Sequence, residues 1–182
     1  MACDLTKGRK EPCKDVVGGL KAVYFTDFGD YGTVTQTDDE ITDMSGTFTA
    51  YKYELKGNSS FEQAITSSRE NGTTFFEQTL NLTLKKLSKE DNKELKLLAF
   101  GRPHVAVEDY NGNVFVMGLE HGAEVTGGSI STGAAMGDLS GYTLTLSASE
   151  LKPANFVDSP TAADPFAGMI SATVTVTEGT NS

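Results

Sequence analysis

The stretch from Thr73 to Lys86 constrains the fold more than any other part of the sequence. Leu80, Leu82 and Leu84 alternate there with Thr79, Asn81, Thr83 and Lys85. Successive side chains of a β-strand point to opposite faces, so a period of two puts the leucines on a buried face and the polar residues on a wet one. Leucines in a row need a second layer to cover them. The chain must therefore build at least one sheet with a packed face and a polar face.

Neighbouring segments supply the remaining β structure. Leu20–Thr26 follows the Gly18-Gly19 pair and is β-branched and aromatic, and Thr47–Leu55 is rich in Thr, Tyr and Phe. Phe61–Arg69 leads into the leucine strand through Asn71-Gly72, a strong hairpin signal. His104–Asp109 and Asn113–Leu119 flank the tight turn Tyr110-Asn111-Gly112. In the second of these, Val114 and Val116 face one way and Phe115 and Met117 the other, so cover is expected on both sides. Tyr142–Ser149 alternates again. A connector with Pro153, Pro160 and Pro165 leads to a last strand at Ala172–Thr177.

A single helix interrupts the strands. Ser88 stands three residues before Asp91 in a capping pattern, and Glu90 and Asp91 suit the positive end of the helix. Leu95, Leu98 and Ala99 form its apolar stripe, and Gly101 with Pro103 stops it near Phe100. The expected class is mainly β: a β-sandwich or barrel with one flanking helix at about 88–100. The expected organisation is an N-terminal arm (1–19), a β-domain (20–156) with an acidic loop at 27–45, and a C-terminal extension (157–182) ending in a strand.

Charge narrows the function. The 182 residues include 25 acidic and 15 basic side chains, a net charge of −10 at pH 7. That balance opposes a protein that grips nucleic acid by neutralising phosphates. The charge is also uneven. Lys7, Arg9, Lys10 and Lys14 cluster in the arm, whereas Asp27, Asp30, Asp38, Asp39, Glu40 and Asp43 crowd the acidic loop without a Lys or Arg among them. Mutual repulsion predicts a mobile loop that becomes ordered when a basic partner meets it, and the arm of a neighbouring subunit is the expected partner.

No apolar run approaches the roughly twenty residues of a bilayer span. Met1-Ala-Cys-Asp-Leu-Thr-Lys has no apolar signal core, so maturation in a cytoplasm is expected, with Cys3 and Cys13 as thiols. The N-x-S/T sequons at Asn58, Asn71 and Asn81 then carry no weight.

Motifs that would carry chemistry fail on their essential residues. Gly128-Ser-Ile-Ser-Thr-Gly133 has the outline of a phosphate loop, but Ala134 and Ala135 stand where the lysine and the metal-binding hydroxyl belong. Asp27-Phe28-Gly29 has no kinase motifs around it, and His121 with Glu124 lacks the second histidine of a zinc protease. Asp109 to Asn113 begins like a calcium loop, yet Val114 takes the place of its glycine. Cys3, Cys13, His104 and His121 do not have zinc-ligand spacing. No catalytic, cofactor or metal residue is assigned, and the protein is expected not to be an enzyme. The glycine-rich stretch Gly122–Tyr142 is read instead as backbone that bends and packs closely, with Gly127, Gly128 and Gly133 where another backbone approaches, that of a neighbouring subunit.

Two blocks carry a family resemblance. The first runs Gly8-Arg-Lys-Glu-Pro-Cys-Lys-Asp-Val-Val-Gly-Gly-Leu-Lys-Ala-Val-Tyr-Phe25. The second runs from Tyr110-Asn-Gly-Asn-Val-Phe-Val-Met-Gly118 to Gly141-Tyr-Thr-Leu-Thr-Leu-Ser-Ala-Ser-Glu150, with Pro153-Ala154 just after. With the leucine strand and its capped helix, the chain from about Gly8 to Phe156 resembles structural proteins of tailed bacteriophages, most of all the tail tube (major tail) class. The resemblance implies stacked hexameric rings whose strands line a channel through which DNA passes without specific binding. It also implies a long loop and terminal arms that bridge subunits, contacts with other tail proteins, and no membrane. The place implied is the virion tail, after synthesis in the host bacterial cytoplasm. The subunit contacts expected are Lys7, Arg9, Lys10 and Lys14 against Asp38, Asp39, Glu40 and Asp43, together with Gly127, Gly128 and Gly133. The alternatives are another phage ring, connector or decoration protein, or a carbohydrate-binding sandwich, which the absence of Trp disfavours.

Overall fold

The computed structural model describes Leu5 and residues 7–179; Cys3 and both extreme ends lie outside the described residues. Two sheets and one helix form the molecule. The smaller sheet has the order β5 (Ser60–Ser68), β6 (Thr73–Lys85), β10 (Gly141–Glu150), β9 (Glu124–Ser131), antiparallel throughout. The larger runs β12 (Thr173–Glu178), β4 (Thr47–Glu54), β1 (Leu20–Thr26), β7 (His104–Asp109), β8 (Val114–Met117), β11 (Asn155–Val157), β3 (Glu40–Met44), β2 (Val34–Thr37). Its β12–β4 and β11–β3 pairs are parallel and its other pairs antiparallel.

Strand alternation creates two cores from one large sheet. Val23 and Phe25 of β1, Val105 and Val107 of β7, and Met117 of β8 pack against Leu80, Leu82, Leu146 and Ala148 of the small sheet. The other face of the same strands offers Ala22, Tyr24, Ala106, Val114 and Val116 to a second cluster. Every strand of the large sheet contributes to that cluster, from Val174 of β12 to Val34 of β2, and Phe166 and Met169 fill its centre. The large sheet therefore curls around its own core on one side and is capped by the small sheet on the other. As expected for β8, both of its faces are covered.

The helix α1 (Lys89–Phe100) is capped by Ser88, whose Oγ accepts from the Asp91 amide at 3.0 Å. Ser88's own amide turns to the Tyr142 hydroxyl (3.3 Å), which donates in turn to the Ser88 carbonyl. The cap thus ties the helix to β10. Leu95 is buried and Leu98 half-buried, while Ala99 is exposed.

Two segments differ from the sequence reading. The acidic stretch is no loop along residues 34–44: β2 and β3 form a hairpin turned by Asp38 and Asp39, both at positive φ. Ile41 and Met44, almost wholly buried, dock it on the second core, and β11 pairs with β3. Apolar anchoring at two positions outweighs repulsion among charges of which Asp38 and Asp39 are exposed and Asp43 is bonded to Ser171. Gly122–Tyr142, read as a bending connector, contains the eight-residue strand β9. The segment after residue 156 supplies Val157, Phe166, Met169 and β12 to the large sheet and its core.

Candidate assembly surface

The small sheet has two different faces. Its inner face is the leucine layer. Its outer face is a set of level tiers read across the strands. One tier is Ser60, Asn81, Thr145 and Gly127; another is Glu62, Thr79, Ser147 and Glu124. Short side chains link across the tiers. The Thr145 hydroxyl donates to Asn81 Oδ1 at 2.9 Å, and the Ser129 and Thr143 hydroxyls share a bond of 2.8 Å. These cross-strand pairs of short polar side chains stand among a few long charged ones, Glu62, Glu77, Lys85 and Glu124.

Neither of its edge strands pairs with a further strand among the described residues, and α1 lies near β9. An exposed strand edge offers unpaired N–H and C=O groups and is normally blunted by lysine, proline, brevity or cover. The nine residues of β5 contain one charged side chain, Glu62, and the eight of β9 contain one, Glu124. Each also exposes an isoleucine, Ile65 at 69% and Ile130 at 64%. The edges of the large sheet are better kept. β2 is four residues long, and on β12 Glu178 pairs with Lys52 of β4 at 2.6 Å. Glu178 accordingly raises the Lys52 pKa above its ordinary value, against the opposing pull of burial.

The structure places the residues expected at subunit contacts in four locations. Lys7, Arg9, Lys10 and Lys14 lie on an exposed, strandless arm together with Cys13. The arm is held at Val17, whose amide donates to Asn111 Oδ1 (3.0 Å) and whose carbonyl accepts from Asn111 Nδ2 (2.8 Å). Asp38 and Asp39 form the hairpin turn, where Asn155 donates to the Asp39 carbonyl, and Glu40 begins β3. Asp43 accepts from the Ser171 amide at 3.0 Å, and its bonds to Ser171 hold its pKa below the usual carboxylate range. Among the described residues no ion pair joins the arm to this hairpin. Gly127 and Gly128 lie side by side inside β9. A Cβ on Gly128 would come within 2.5 Å of the Thr143 carbonyl of β10, so the backbone it accommodates is its own chain's; a Cβ on Gly127 would meet open space. Gly133, at φ +72°, makes the turn after β9 against Asp138.

Sequence reasoning missed a polar clasp around residues 118–122. Gln78 and Glu150 occupy core-face positions of the small sheet, and each is buried with a specific partner. Gln78 Oε1 accepts from the Gly118 amide. Glu150 Oε1 accepts the amides of Glu120 and His121, and its Oε2 accepts from His121 Nδ1 at 2.9 Å. His104 Nδ1 donates to the Gly118 carbonyl at 2.7 Å. The available signal was a polar residue at each alternation site that should have been apolar, Gln78 before Leu80 and Glu150 after Ala148.

A scan against protein-family models, a search of curated proteins and a search of solved structures each found no match. Among the described residues, no helix is long and apolar enough to cross a membrane.

Proposed function

We propose that the chain is a virion structural protein of the tail-tube kind, a subunit that closes into rings by joining the β5 edge of one copy to the β9 edge of the next. The observation that carries this reading is the small sheet: two long, nearly uncharged edge strands without a strand partner, one packed face and one face rich in hydroxyls. Directions along β5, β6, β10 and β9 alternate, so rotation about a ring axis brings β9 beside the next β5 antiparallel, without an exceptional pair at the seam. A ring of six would close about 24 strands, and a strand spacing of about 4.8 Å with a tilt of about 40° gives a barrel roughly 50 Å across at the backbone. Such a bore admits a DNA duplex.

Chemistry of the outer face favours placing it toward the bore. Its Ser, Thr and Asn side chains offer phosphates no charge to hold, and against the single exposed cation Lys85 stand Glu62, Glu77 and Glu124, which repel them. Glu62 and Glu124 share a tier at opposite edges, so a level seam would oppose them. Barrel closure requires a stagger between strands, and the stagger separates this pair. Electron microscopy of the purified protein tests the reading: rings or tubes support it, and single particles at every concentration oppose it. Glycan binding by such single particles would favour the carbohydrate-binding alternative.

A further inference from the structure

A buried histidine with both ring nitrogens engaged sits beneath the turn that follows β1. His104 is only 4% exposed. Its Nδ1 faces a carbonyl, Gly118 O at 2.7 Å, and its Nε2 faces an amide, Gly29 N–H at 3.1 Å. The carbonyl can only accept and the amide can only donate. The ring therefore carries its proton on Nδ1 and leaves Nε2 bare.

The turn closes over this ring from both sides. Phe28 stacks on one face of the imidazole with centroids 4.9 Å apart, and Tyr31 on the other at 4.5 Å. The Arg102 guanidinium carbon lies over the Phe28 ring, 4.0 Å from its centroid. Tyr31 and Thr33 have independent anchors, because the Tyr31 carbonyl accepts from Gly46 and Thr33 is tied to Ser45. Residues 27–30 have fewer. Beyond the turn bonds from Asp30 to Asp27 and from Gly32 to the Gly29 carbonyl, and the Asp30 carbonyl packed against Gly46, they are held by the Gly29 amide on His104 Nε2 and by Phe28 against His104 and Arg102.

We propose that His104 is an acid-released latch: a proton on Nε2 sets two donors face to face, breaks the Gly29 bond, and frees residues 27–30 from the body of the protein. The charged groups facing the ring are Asp30 from the turn itself, Glu150 from β10, and Arg102 ahead of β7. Burial is the largest influence and holds the imidazole below its ordinary pKa; the Gly118 carbonyl, Glu150 and Asp30 pull the other way, and Arg102 adds to burial. With the closed-state pKa depressed, the closed latch is fully stable above about pH 6.5 and loses stability as the pH falls below it. Opening bares Nε2 to water. The latch belongs to the single chain and does not depend on ring formation.

The test is an NMR titration of the ¹⁵N-labelled protein from pH 8 to pH 4.5, following the His104 ring nitrogens and the Gly29 amide together. The expected result is the Nδ1–H tautomer at neutral pH, and a Gly29 exchange rate, corrected for intrinsic pH dependence, that rises at least tenfold as His104 titrates. His104→Gln keeps an acceptor near the Nε2 position and does not titrate, so it should abolish the rise. His121→Asn should leave the rise in place. A Gly29 amide that stays protected while His104 gains its proton would overturn the proposal, and so would a His104 that remains neutral until global unfolding. Both are read on the unaltered protein, whether or not the glutamine variant folds.

Discussion

The two sheets solve the same problem in opposite ways. The large sheet uses both faces as core, ends on one side in a four-residue strand, and fastens its other edge with Lys52 and Glu178. The small sheet uses one face as core, leaves the other as a hydroxyl surface, and ends in long, nearly uncharged strands. A sheet edge without blunting is a hazard for a monomer and an instrument for an assembling subunit. Under the proposed function, the first sheet serves stability and the second serves assembly.

The comparison breaks most sharply where the sheets meet. Leu80→Ala and Leu146→Ala empty fully buried positions between them and should each cost about 2–5 kcal/mol in denaturant unfolding. Ile65→Lys on the open edge should change monomer stability by no more than about 0.5 kcal/mol, yet abolish rings under the microscope. An unfolded Ile65→Lys variant would show that β5 is structural rather than an assembly edge.

The adjacent glycines sharpen the contrast within one strand. Gly128→Val drives a Cβ against the Thr143 carbonyl and should cost about 1–3 kcal/mol as overpacking does. Gly127→Val enters open space and should leave the monomer's melting within about 0.5 kcal/mol of the parent. Equal losses at the two positions would contradict the assigned faces of β9.

Outer-face charge gives a smaller effect, read by binding. Asn81→Lys with Thr145→Lys places two cations on neighbouring strands and should make the protein retain duplex DNA at low salt and release it as salt rises. The parent should not retain it. Retention by the parent would argue against a bore in which DNA slides.

The smallest expected effect concerns Asp43. Its folded pKa lies below that of an ordinary aspartate, so its stabilising bonds to Ser171 are complete above the ordinary aspartate pKa and fade as the pH falls below it. Asp43→Asn should flatten this acid limb slightly in pH-dependent melting, and an unchanged limb would mean that the hairpin takes no support from the carboxylate.

Much of this architecture was legible in the residues, and the failures have physical causes. The leucine strand, its hairpin partner and the capped helix announce themselves by period, turn chemistry and caps that act within a few residues. The hairpin of β2 and β3 was hidden because Asp38-Asp39 adopts positive φ without a glycine, and because the acidic count overshadowed Ile41 and Met44. β9 has little side-chain bulk and owes its extended form to its ladder with β10, a partner beyond a loop. β11 is three residues long and depends on β3 and β8, both remote in sequence. The arm and the acidic hairpin are opposite in charge, and within one chain no ion pair joins them among the described residues, so the expected contact is one between subunits.

The most direct test of the assembly claim is disulfide mapping of the seam, with Cys3 and Cys13 replaced by Ser. Thr66→Cys on the outer face of β5 is combined in turn with Gly127→Cys, Ser129→Cys and Ser131→Cys on β9, and the assembled protein is oxidised. The account predicts that one register of these pairs yields a covalent ladder of copies up to the closed ring, while each single variant stays monomeric on a denaturing gel. Assembled rings that give no ladder from any β5–β9 pair, but do give one from Thr35→Cys on β2 with Thr175→Cys on β12, would contradict it.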